Sequence, residues 1–236
     1  MSGPAVITDP GLTVQIAVTG LLFDMDGVLV RSIDGDERCW RRWTARHNLT
    51  DTFDLRRTHG RRASDTIREH LPALDDQAIS AHLFELDMFA EQEQENVTAY
   101  PGARELLAML PPSRWTVVTS ASEKMMRSRL AAAGITAPQQ AIGGDAVRVG
   151  KPHPEGYLRG AAILSQPAHR CLVIEDAPAG IRAGKLAGCQ VLAVASSHRA
   201  DELQDADWII SSLEHIQISV DRSATLTLRF TALPGM

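Results

Sequence analysis

The sequence predicts an α/β fold, a Rossmann-like doubly wound parallel sheet with a small helical cap domain inserted after the first motif strand. In the second half of the chain, short apolar runs alternate with helical patterns, a spacing typical of parallel strands joined by helices. From Arg31 to Tyr100 the patterns are helical, with no convincing buried strand. We therefore assign residues 1–32 and 101–236 to the core and residues 33–100 to the cap.

The first strand is predicted at the apolar run GLLF, which leads into Asp24, Asp26 and Gly27. Such a run, closed by Asp and Gly, indicates a buried strand that leaves the sheet through a tight loop. Two like charges this close repel, so the pair is stable when one carboxyl is protonated or a cation lies between them. Mg²⁺, which prefers oxygen ligands, meets this need. An ordinary strand end with an Asp-Gly turn is the alternative.

Three helices are predicted in the cap, over residues 34–48, 63–71 and 75–96. Ser64 or an adjacent residue is the expected cap of the second helix, and Pro72 ends it. The third helix has an apolar face, which we assign to the cap core, and an acidic EQEQE end that we expect to face solvent. That apolar face consists of Ile79, Leu83, Leu86 and Ala90.

The remaining core elements are predicted from apolar runs, helical patterns and their stop signals. Ser122 is a plausible helix cap, Pro154 and Pro178 open helices, and Gly134 and Gly188 end them. The tail, residues 223–233, alternates like an edge strand. In chain order the predicted elements are a helix at 103–110, a strand at 115–120, a helix at 122–134, a short strand near 142, a helix at 155–165, a strand at 171–176, a helix at 178–188, and strands at 190–195 and 207–210.

Composition limits the classes of function. The chain has 236 residues, 44% of them apolar, enough for one substantial core and a small extra domain. A net charge of −5 without a dominant basic stretch disfavours nucleic acid as a partner, and no run reaches the ~20 apolar residues that span a membrane. The N-terminus lacks a cationic region, and Asp9, Pro10 and Gly11 interrupt it, so we expect no signal peptide. We expect a cytoplasmic monomer with three reduced, structural thiols: Cys39, Cys171 and Cys189.

Polar residues follow several predicted strands directly. Because ligands of open parallel sheets bind beyond the carboxyl ends of the strands, we expect these residues to meet at one edge. Taken singly, each has a local explanation, such as a turn, a solvated loop or a helix cap, but these leave the common position unexplained. Carboxylates beside a hydroxyl and a lysine suit phosphoryl transfer, which depends on positioning and positive charge. The residues are Asp24, Asp26, Ser120, Lys151, Glu175 and Asp176.

The chain resembles the haloacid dehalogenase-like superfamily. Four motifs appear in the family's order, FDMDG, VVTSAS, GKPHPEGY and VIEDAPAGI, and the resemblance extends from Gly20 to about Ser197. Within the superfamily it is similar to the sugar and polyol phosphatases, including glycerol-phosphate and 2-deoxyglucose-6-phosphate phosphatases, in a subfamily that also contains β-phosphoglucomutase.

The resemblance implies roles for the motif residues. Asp24 would be the nucleophile that forms an aspartyl-phosphate, and Asp26 the general acid and base. Mg²⁺ would be held by Asp24, the main-chain carbonyl of Asp26, and Asp176. Ser120, with the backbone N–H of the neighbouring residue, would bind a phosphoryl oxygen. The three remaining implied residues are Ala121 as that neighbour, Lys151 as fixed positive charge, and Glu175 as a ligand through water or a support of the ligands.

The cap is expected to select the substrate. All ten Lys and Arg residues between Arg31 and His70 are arginines. In the segment THGRRASD, which resembles the cap of sugar phosphatases, we expect Arg62 and His59 to reach the substrate; pairing of such arginines with Asp and Glu on solvated faces is the alternative. Trp40 and Trp43 stand at a spacing that favours core packing over stacking on a sugar.

The predicted site and cap together indicate one function. We predict a Mg²⁺-dependent phosphatase that hydrolyses small sugar or polyol phosphate monoesters through an aspartyl-phosphate. Asp26 favours phosphate esters over halides, since a halide leaving group needs no proton. Two alternatives stay open: a β-phosphoglucomutase-like phosphomutase, which differs in how the cap shields the phosphoenzyme from water, and a non-catalytic regulatory protein that binds sugar phosphates.

Overall fold

The structure is a computed structural model that describes residues 12–93 and 97–234. Its strands are β1 (Thr13–Val18), β2 (Gly20–Phe23), β3 (Val30–Arg31), β4 (Thr98–Ala99), β5 (Trp115–Val117), β6 (Cys171–Glu175), β7 (Gln190–Val194), β8 (Trp208–Ile210), β9 (Gln217–Val220) and β10 (Leu226–Thr231). Its α-helices are α1 (Ile33–Arg46), α2 (Ala63–His70), α3 (Asp76–Gln92), α4 (Ala103–Ala108), α5 (Glu123–Ala132), α6 (Glu155–Ile163) and α7 (Pro178–Leu186).

The core is a five-stranded parallel sheet in the order β5-β2-β6-β7-β8. Beyond β5, Ile142 pairs with Val118 in a parallel bridge, at the place where a short strand is predicted. Successive side chains of β2 enter opposite apolar clusters, with Leu21 and Phe23 on one face and Leu22 on the other. Because both faces are buried, the strands are almost entirely apolar. The predicted fold class is confirmed.

Helices cover both faces of this sheet. Met126 and Leu130 of α5 belong to the apolar cluster of one face, and Tyr157 of α6 and Ile181 of α7 belong to the other. Several predicted helix signals are present: the side chain of Ser122 accepts a hydrogen bond from the N–H of Met125, and α7 begins at Pro178. Gly134 and Gly188, which follow α5 and α7, both have positive φ.

The helices α1, α2 and α3 pack around an apolar cluster of their own, built from Cys39, Ile67, Ile79, Leu86, Phe89 and two tryptophans. Those tryptophans, Trp40 and Trp43, are buried and pack edge to face, with ring centroids 5.4 Å apart, so the predicted core role is confirmed. β3 and β4 pair antiparallel where the chain enters and leaves this helical unit. The domain boundaries at residues 32/33 and 100/101 stay a prediction.

Two sequence predictions are wrong. The tail was expected to form an edge strand, but β10 lies between β1 and β9 in an antiparallel sheet of order β1-β10-β9. Alternation identifies a strand, whereas its neighbours depend on distant segments, here β1, which the sequence did not predict. Ser64 does not cap α2: the N-cap is Arg62, whose side chain makes no capping bond.

Other boundaries differ by a few residues. The strand predicted at 115–120 ends at Val117, and the strand predicted at 207–210 begins at Trp208. The helix predicted to end at residue 96 ends at Gln92; part of its acidic end, residues 94–96, lies outside the described residues, as do residues 1–11. No helix in the described ranges is both long and apolar enough to cross a membrane.

Candidate active site

Two predicted site residues meet beyond the sheet although 127 positions separate them in the chain. Asp24 follows β2, and Lys151 lies in the loop before α6. The ammonium of Lys151 donates to Asp24 Oδ1 at 2.7 Å and to Glu175 Oε1 at 2.6 Å. All three side chains are buried. The structure therefore brings together the acidic ends of two neighbouring parallel strands and one lysine.

Glu175 is the most completely bonded carboxylate of this group. Its Oε1 accepts from Lys151 and, at 2.6 Å, from the hydroxyl of Tyr157, while Oε2 accepts from the backbone N–H groups of Asp176 (3.0 Å) and Ala177 (3.2 Å). Both oxygens are thus committed within the protein, so Glu175 fixes the position of Lys151. Tyr157 was not predicted as a site residue, because in the sequence it has the pattern of an ordinary residue on the apolar face of α6.

Two carboxyl groups of this site, those of Asp24 and Asp176, have raised pKa values. Burial raises the pKa of Asp24 to about 7, aided by the charges of Glu175 and Asp26 and opposed by Lys151. Burial also raises the pKa of Asp176 well above its ordinary value, and the charges of Glu175 and Asp24 add to this. Burial alone would lower the pKa of Lys151, but the charges of Asp24 and Glu175 outweigh this effect and raise the pKa.

Asp176 carries the clearest sign of a missing partner. Its Oδ2 accepts from the hydroxyl of Ser197, whereas Oδ1 is buried and has no hydrogen-bond partner within residues 12–93 and 97–234. A buried carboxylate oxygen left unpaired is costly unless a ligand satisfies it. One oxygen each of Asp24, Glu175 and Asp176 lies within 4.8 Å of the others. An all-oxygen, anionic donor set of this kind fits a hard divalent cation such as Mg²⁺.

The loop after β2 is shaped to let Asp176 approach. Gly27 has φ +87°, and a Cβ at this position would lie 1.9 Å from Asp176 Oδ2. Only glycine adopts this conformation readily and leaves room for the carboxylate.

A second group with metal-ligating side chains lies in the cap: His47, His82 and Glu85. Trp43 Nε1 donates to His82 Nδ1 at 3.1 Å, which places the proton of the neutral His82 on Nε2 and leaves neither nitrogen free to bind a cation. His47 Nε2 lies 2.7 Å from Glu85 Oε2. These side chains bond to one another and to Trp43, and the contacts hold α1 against α3.

Asp26 is held by two donors. Arg129 Nη1 lies 2.8 Å from Asp26 Oδ1, and the hydroxyl of Ser32 donates to the same oxygen. The Arg129 guanidinium also pairs with both oxygens of Asp36 on α1, so it joins the core to the cap. Arg129 was not predicted as a site residue, because a single arginine in a helical pattern does not show whether its side chain is buried or exposed.

Ser120 and Ala121 line a cavity of about 270 Å³ between core and cap, together with Asp24 and Asp26. The hydroxyl of Ser120 donates to the carbonyl of Gly60 at 2.9 Å, and the N–H of Ala121 is 3.1 Å from Thr119 Oγ1. Both predicted phosphate donors are at the cavity but are engaged with protein oxygens. Their contact with a phosphoryl group stays a prediction.

The two cap residues predicted to reach the substrate differ in availability. Arg62 pairs with both oxygens of Asp65, at 2.8 and 2.7 Å, and donates to the carbonyl of Val147 at 2.9 Å. His59 lines the cavity with a side chain only 10% exposed, and neither ring nitrogen has a hydrogen-bond partner in the part of the chain that the structure describes; the Glu37 carboxylate is 3.8 Å away. Burial lowers the pKa of His59, so the ring is neutral. His59 is therefore free to bind a ligand, whereas Arg62 lines the same cavity and fastens the cap to a core loop. Contact of either residue with a substrate stays a prediction.

The family model described as a haloacid dehalogenase-like hydrolase matches residues 18–188. The chain belongs to this family. The resemblance drawn from the four motifs is thereby confirmed.

Several relatives are of similar length to this chain. Hexitol phosphatase A of Escherichia coli (strain K12) is 38% identical over 202 residues, which are 85% of this chain and 94% of the relative. The 2-deoxyglucose-6-phosphate phosphatase 2 of Saccharomyces cerevisiae is 30% identical over 226 residues, covering 86% and 92% of the two chains. The crystal structure of β-phosphoglucomutase from Clostridium difficile superposes with a TM-score of 0.73, covering 85% and 93%; at 21% identity it shows the shared fold alone.

Proposed function

We propose that this protein is a Mg²⁺-dependent phosphatase that hydrolyses small sugar or polyol phosphate monoesters through an aspartyl-phosphate. The main support is the 2.7 Å contact between Lys151 Nζ and Asp24 Oδ1. The unpaired oxygen of Asp176 belongs to the same site, and Asp24 and Asp176 line a cavity of about 270 Å³. Two relatives of similar length, named as a hexitol phosphatase and a 2-deoxyglucose-6-phosphate phosphatase, support the substrate class.

In the first step, an oxygen of Asp24 attacks phosphorus, a bond forms between them, and the ester P–O bond breaks. The departing oxygen takes a proton from Asp26. Among the described residues, hydrogen bonds to Asp26 reach only Oδ1, so its other oxygen is free to carry that proton. Arg129 and Ser32 hold the carboxyl at the cavity while this occurs.

In the second step, water attacks the phosphoaspartate, Asp26 accepts its proton, and Asp24 is released with inorganic phosphate. Lys151 is a buried, fixed charge beside Asp24, so it offsets the approach of one anion to another without reorganisation. Ser120, Ala121 and His59 are the proposed contacts for the phosphoryl group and the substrate.

Mg²⁺ would be held by Asp24, Asp176 and the main-chain carbonyl of Asp26, with Glu175 supporting Lys151 and the loop after β6. When bound, Mg²⁺ neutralises charge between the nucleophile and the phosphoryl oxygens. The raised pKa values of Asp24 and Asp176 support this site, because they indicate carboxylates that lack sufficient positive charge.

We also propose a cytoplasmic location. Cys39, Cys171 and Cys189 are buried, free thiols, as predicted, and such cysteines are typical of a reducing compartment. A monomeric state stays a prediction.

A phosphate-release screen tests the proposed function. Sugar, polyol and nucleotide monophosphates are supplied with Mg²⁺ or with a chelator, and wild type is compared with Asp24→Asn. We expect release from sugar or polyol phosphates only with Mg²⁺, and none from Asp24→Asn. Rapid isomerisation of a hexose phosphate with little free phosphate would support the phosphomutase instead, and ligand binding without turnover would support the regulatory protein.

A further inference from the structure

The cavity lining has two chemically different parts. Asp24, Asp176 and Ser120 lie in the part formed by the core strands, where the phosphoryl group is transferred in the proposed function. Another part of the lining, where the rest of a substrate would lie, comes from the cap helices α1 and α3. Its apolar lining comes from Cys39, Trp40, Leu83, Leu86 and Ala90.

Two carboxylates interrupt this apolar lining: Asp36 on α1, which is paired with Arg129, and Asp87 on α3. Asp87 is half-buried, and among the described residues it has no hydrogen-bond or ion-pair partner. Burial raises the pKa of Asp87, and the charges of Lys124 and Arg129 oppose this only in part. A partly desolvated carboxylate without a partner costs free energy that a bound donor would recover.

The charged neighbours of Asp87 are committed elsewhere. Lys124 pairs with Glu91 at 2.8 Å, and Arg129 pairs with Asp26 and Asp36. Asp145, which adds negative charge near Asp87, accepts from a backbone N–H at the start of α5. None of these groups neutralises Asp87 directly.

The arginines that line the cavity are committed too. Arg61 pairs with Glu69 at 2.7 Å, Arg62 with Asp65, and Arg129 with two aspartates. The described lining therefore offers no uncommitted arginine or lysine. A second phosphate or a carboxylate on the substrate would meet Asp87 with no cation to balance it.

We propose that Asp87 determines the substrate class: it accepts a hydrogen bond from a hydroxyl, or pairs with an ammonium, of the leaving group, and it repels esters that carry a second anion. This inference rests on the proposed function. It also separates phosphatase from phosphomutase, because transfer between two positions of a sugar passes through a bisphosphate, whose second phosphate must lie in the part of the cavity that holds the rest of the substrate. Asp87 opposes that occupant.

The test compares kcat/KM for four esters: a hexitol monophosphate, an aminohexose monophosphate, a hexose bisphosphate and phenyl phosphate, which has no hydroxyl on its leaving group. Wild type, Asp87→Asn and Asp87→Lys are measured with Mg²⁺. The control is Asp76→Asn, which makes the same charge change on the same helix at a side chain that is 94% exposed and outside the cavity. Ratios between substrates on one preparation do not depend on the fraction of folded enzyme.

We expect wild type to prefer the hexitol and aminohexose monophosphates over the bisphosphate. A hydrogen bond to a charged group is worth about 1.5–3 kcal/mol, so Asp87→Lys should lower the monophosphate-to-bisphosphate ratio by about 10–100-fold. Asp87→Asn, which keeps an acceptor but loses the charge, should lower the aminohexose-to-hexitol ratio. The hexitol-to-phenyl ratio should fall in Asp87→Lys, and Asp76→Asn should keep the wild-type ratios.

Equal ratios in wild type, Asp87→Asn and Asp87→Lys, or a wild type that prefers the bisphosphate, would overturn the assignment of Asp87. Those results, with turnover that still requires Asp24, would leave the proposed function intact. If no ester is hydrolysed, phenyl phosphate included, the proposed function fails and the assignment of Asp87 fails with it.

Discussion

Arg129 Nη1 lies 2.8 Å from Asp26 Oδ1, across 103 positions of sequence. The same nitrogen lies 3.0 Å from Asp36 Oδ2, so one buried guanidinium joins the proposed acid and base of the core to the first cap helix. Asp26 is therefore positioned by the cap as well as by its own loop. This contact links the orientation of the Asp26 carboxyl to the position of helix α1.

Replacing Arg129 by Ala should be strongly destabilising. It leaves Asp26 and Asp36 close together without their cation, and removing one partner of a buried ion pair costs about 3–5 kcal/mol. Urea denaturation measures the change. The matched control is Arg127→Ala on the same helix, an exposed residue paired with Glu123, for which we expect about 0–1 kcal/mol. Equal losses in the two variants would contradict the role given to Arg129.

Tyr157→Phe tests the support of Glu175. The hydroxyl donates to Glu175 Oε1 at 2.6 Å in a fully buried setting, so its loss should lower the free energy of unfolding by about 1–3 kcal/mol. Because Lys151 still contacts both Asp24 and Glu175, activity should fall less than stability. Chemical denaturation and phosphate release on the same samples give the comparison. An unchanged unfolding free energy would mean that the hydroxyl is dispensable.

Gly27→Ala should disrupt the proposed Mg²⁺ site. The new methyl would lie 1.9 Å from Asp176 Oδ2, at a φ of +87° that disfavours alanine. We expect loss of Mg²⁺ binding, measured by titration calorimetry. Gly188→Ala is the control, because φ is +80° there and no atom lies within 4 Å, so it carries the backbone penalty alone. Wild-type Mg²⁺ affinity in Gly27→Ala would argue against Asp176 as a ligand.

The pH dependence of stability tests the environment of Asp24 in chelator-treated protein. Its pKa is about 7 in the folded state against an ordinary value of 3.8 for Asp, so between these pH values the folded protein binds a proton that the unfolded chain has released. The contribution of Asp24 is fully present below about pH 4 and is lost as pH rises through about 7. The unfolding free energy of wild type should therefore fall relative to that of Asp24→Asn across this window. A difference that does not change with pH would contradict the raised pKa.

The sequence predicted the site residues that follow strands. Asp24, Asp176 and Lys151 were found because a parallel sheet delivers its strand ends to one edge, which holds for any sequence that forms such a sheet. Arg129 and Asp87 lie on helices, where the local pattern cannot separate a buried charge from an exposed one. Arg127 and Arg129 differ by two positions, yet the first is exposed and the second buried.

The sequence also did not predict which groups the Arg62 side chain would contact. The segment around Arg62 resembled a substrate-binding stretch, but its guanidinium is bound to Asp65 and to carbonyls of a core loop. The strand at the C-terminus was predicted by alternation, whereas its place between two neighbours depends on pairing such as Thr13 with Thr231. Strand pairing over such a separation cannot be predicted from the local sequence pattern.

The most direct measurement is rapid acid quench during turnover with Mg²⁺ and a hexitol phosphate, followed by mass spectrometry of the peptide that contains Asp24. The account predicts a phosphoryl group on Asp24 in wild type, and neither that adduct nor phosphate release in Asp24→Asn. Turnover at the wild-type rate in Asp24→Asn, or phosphate release from wild type with no phosphorylated Asp24 at any quench time, would contradict it.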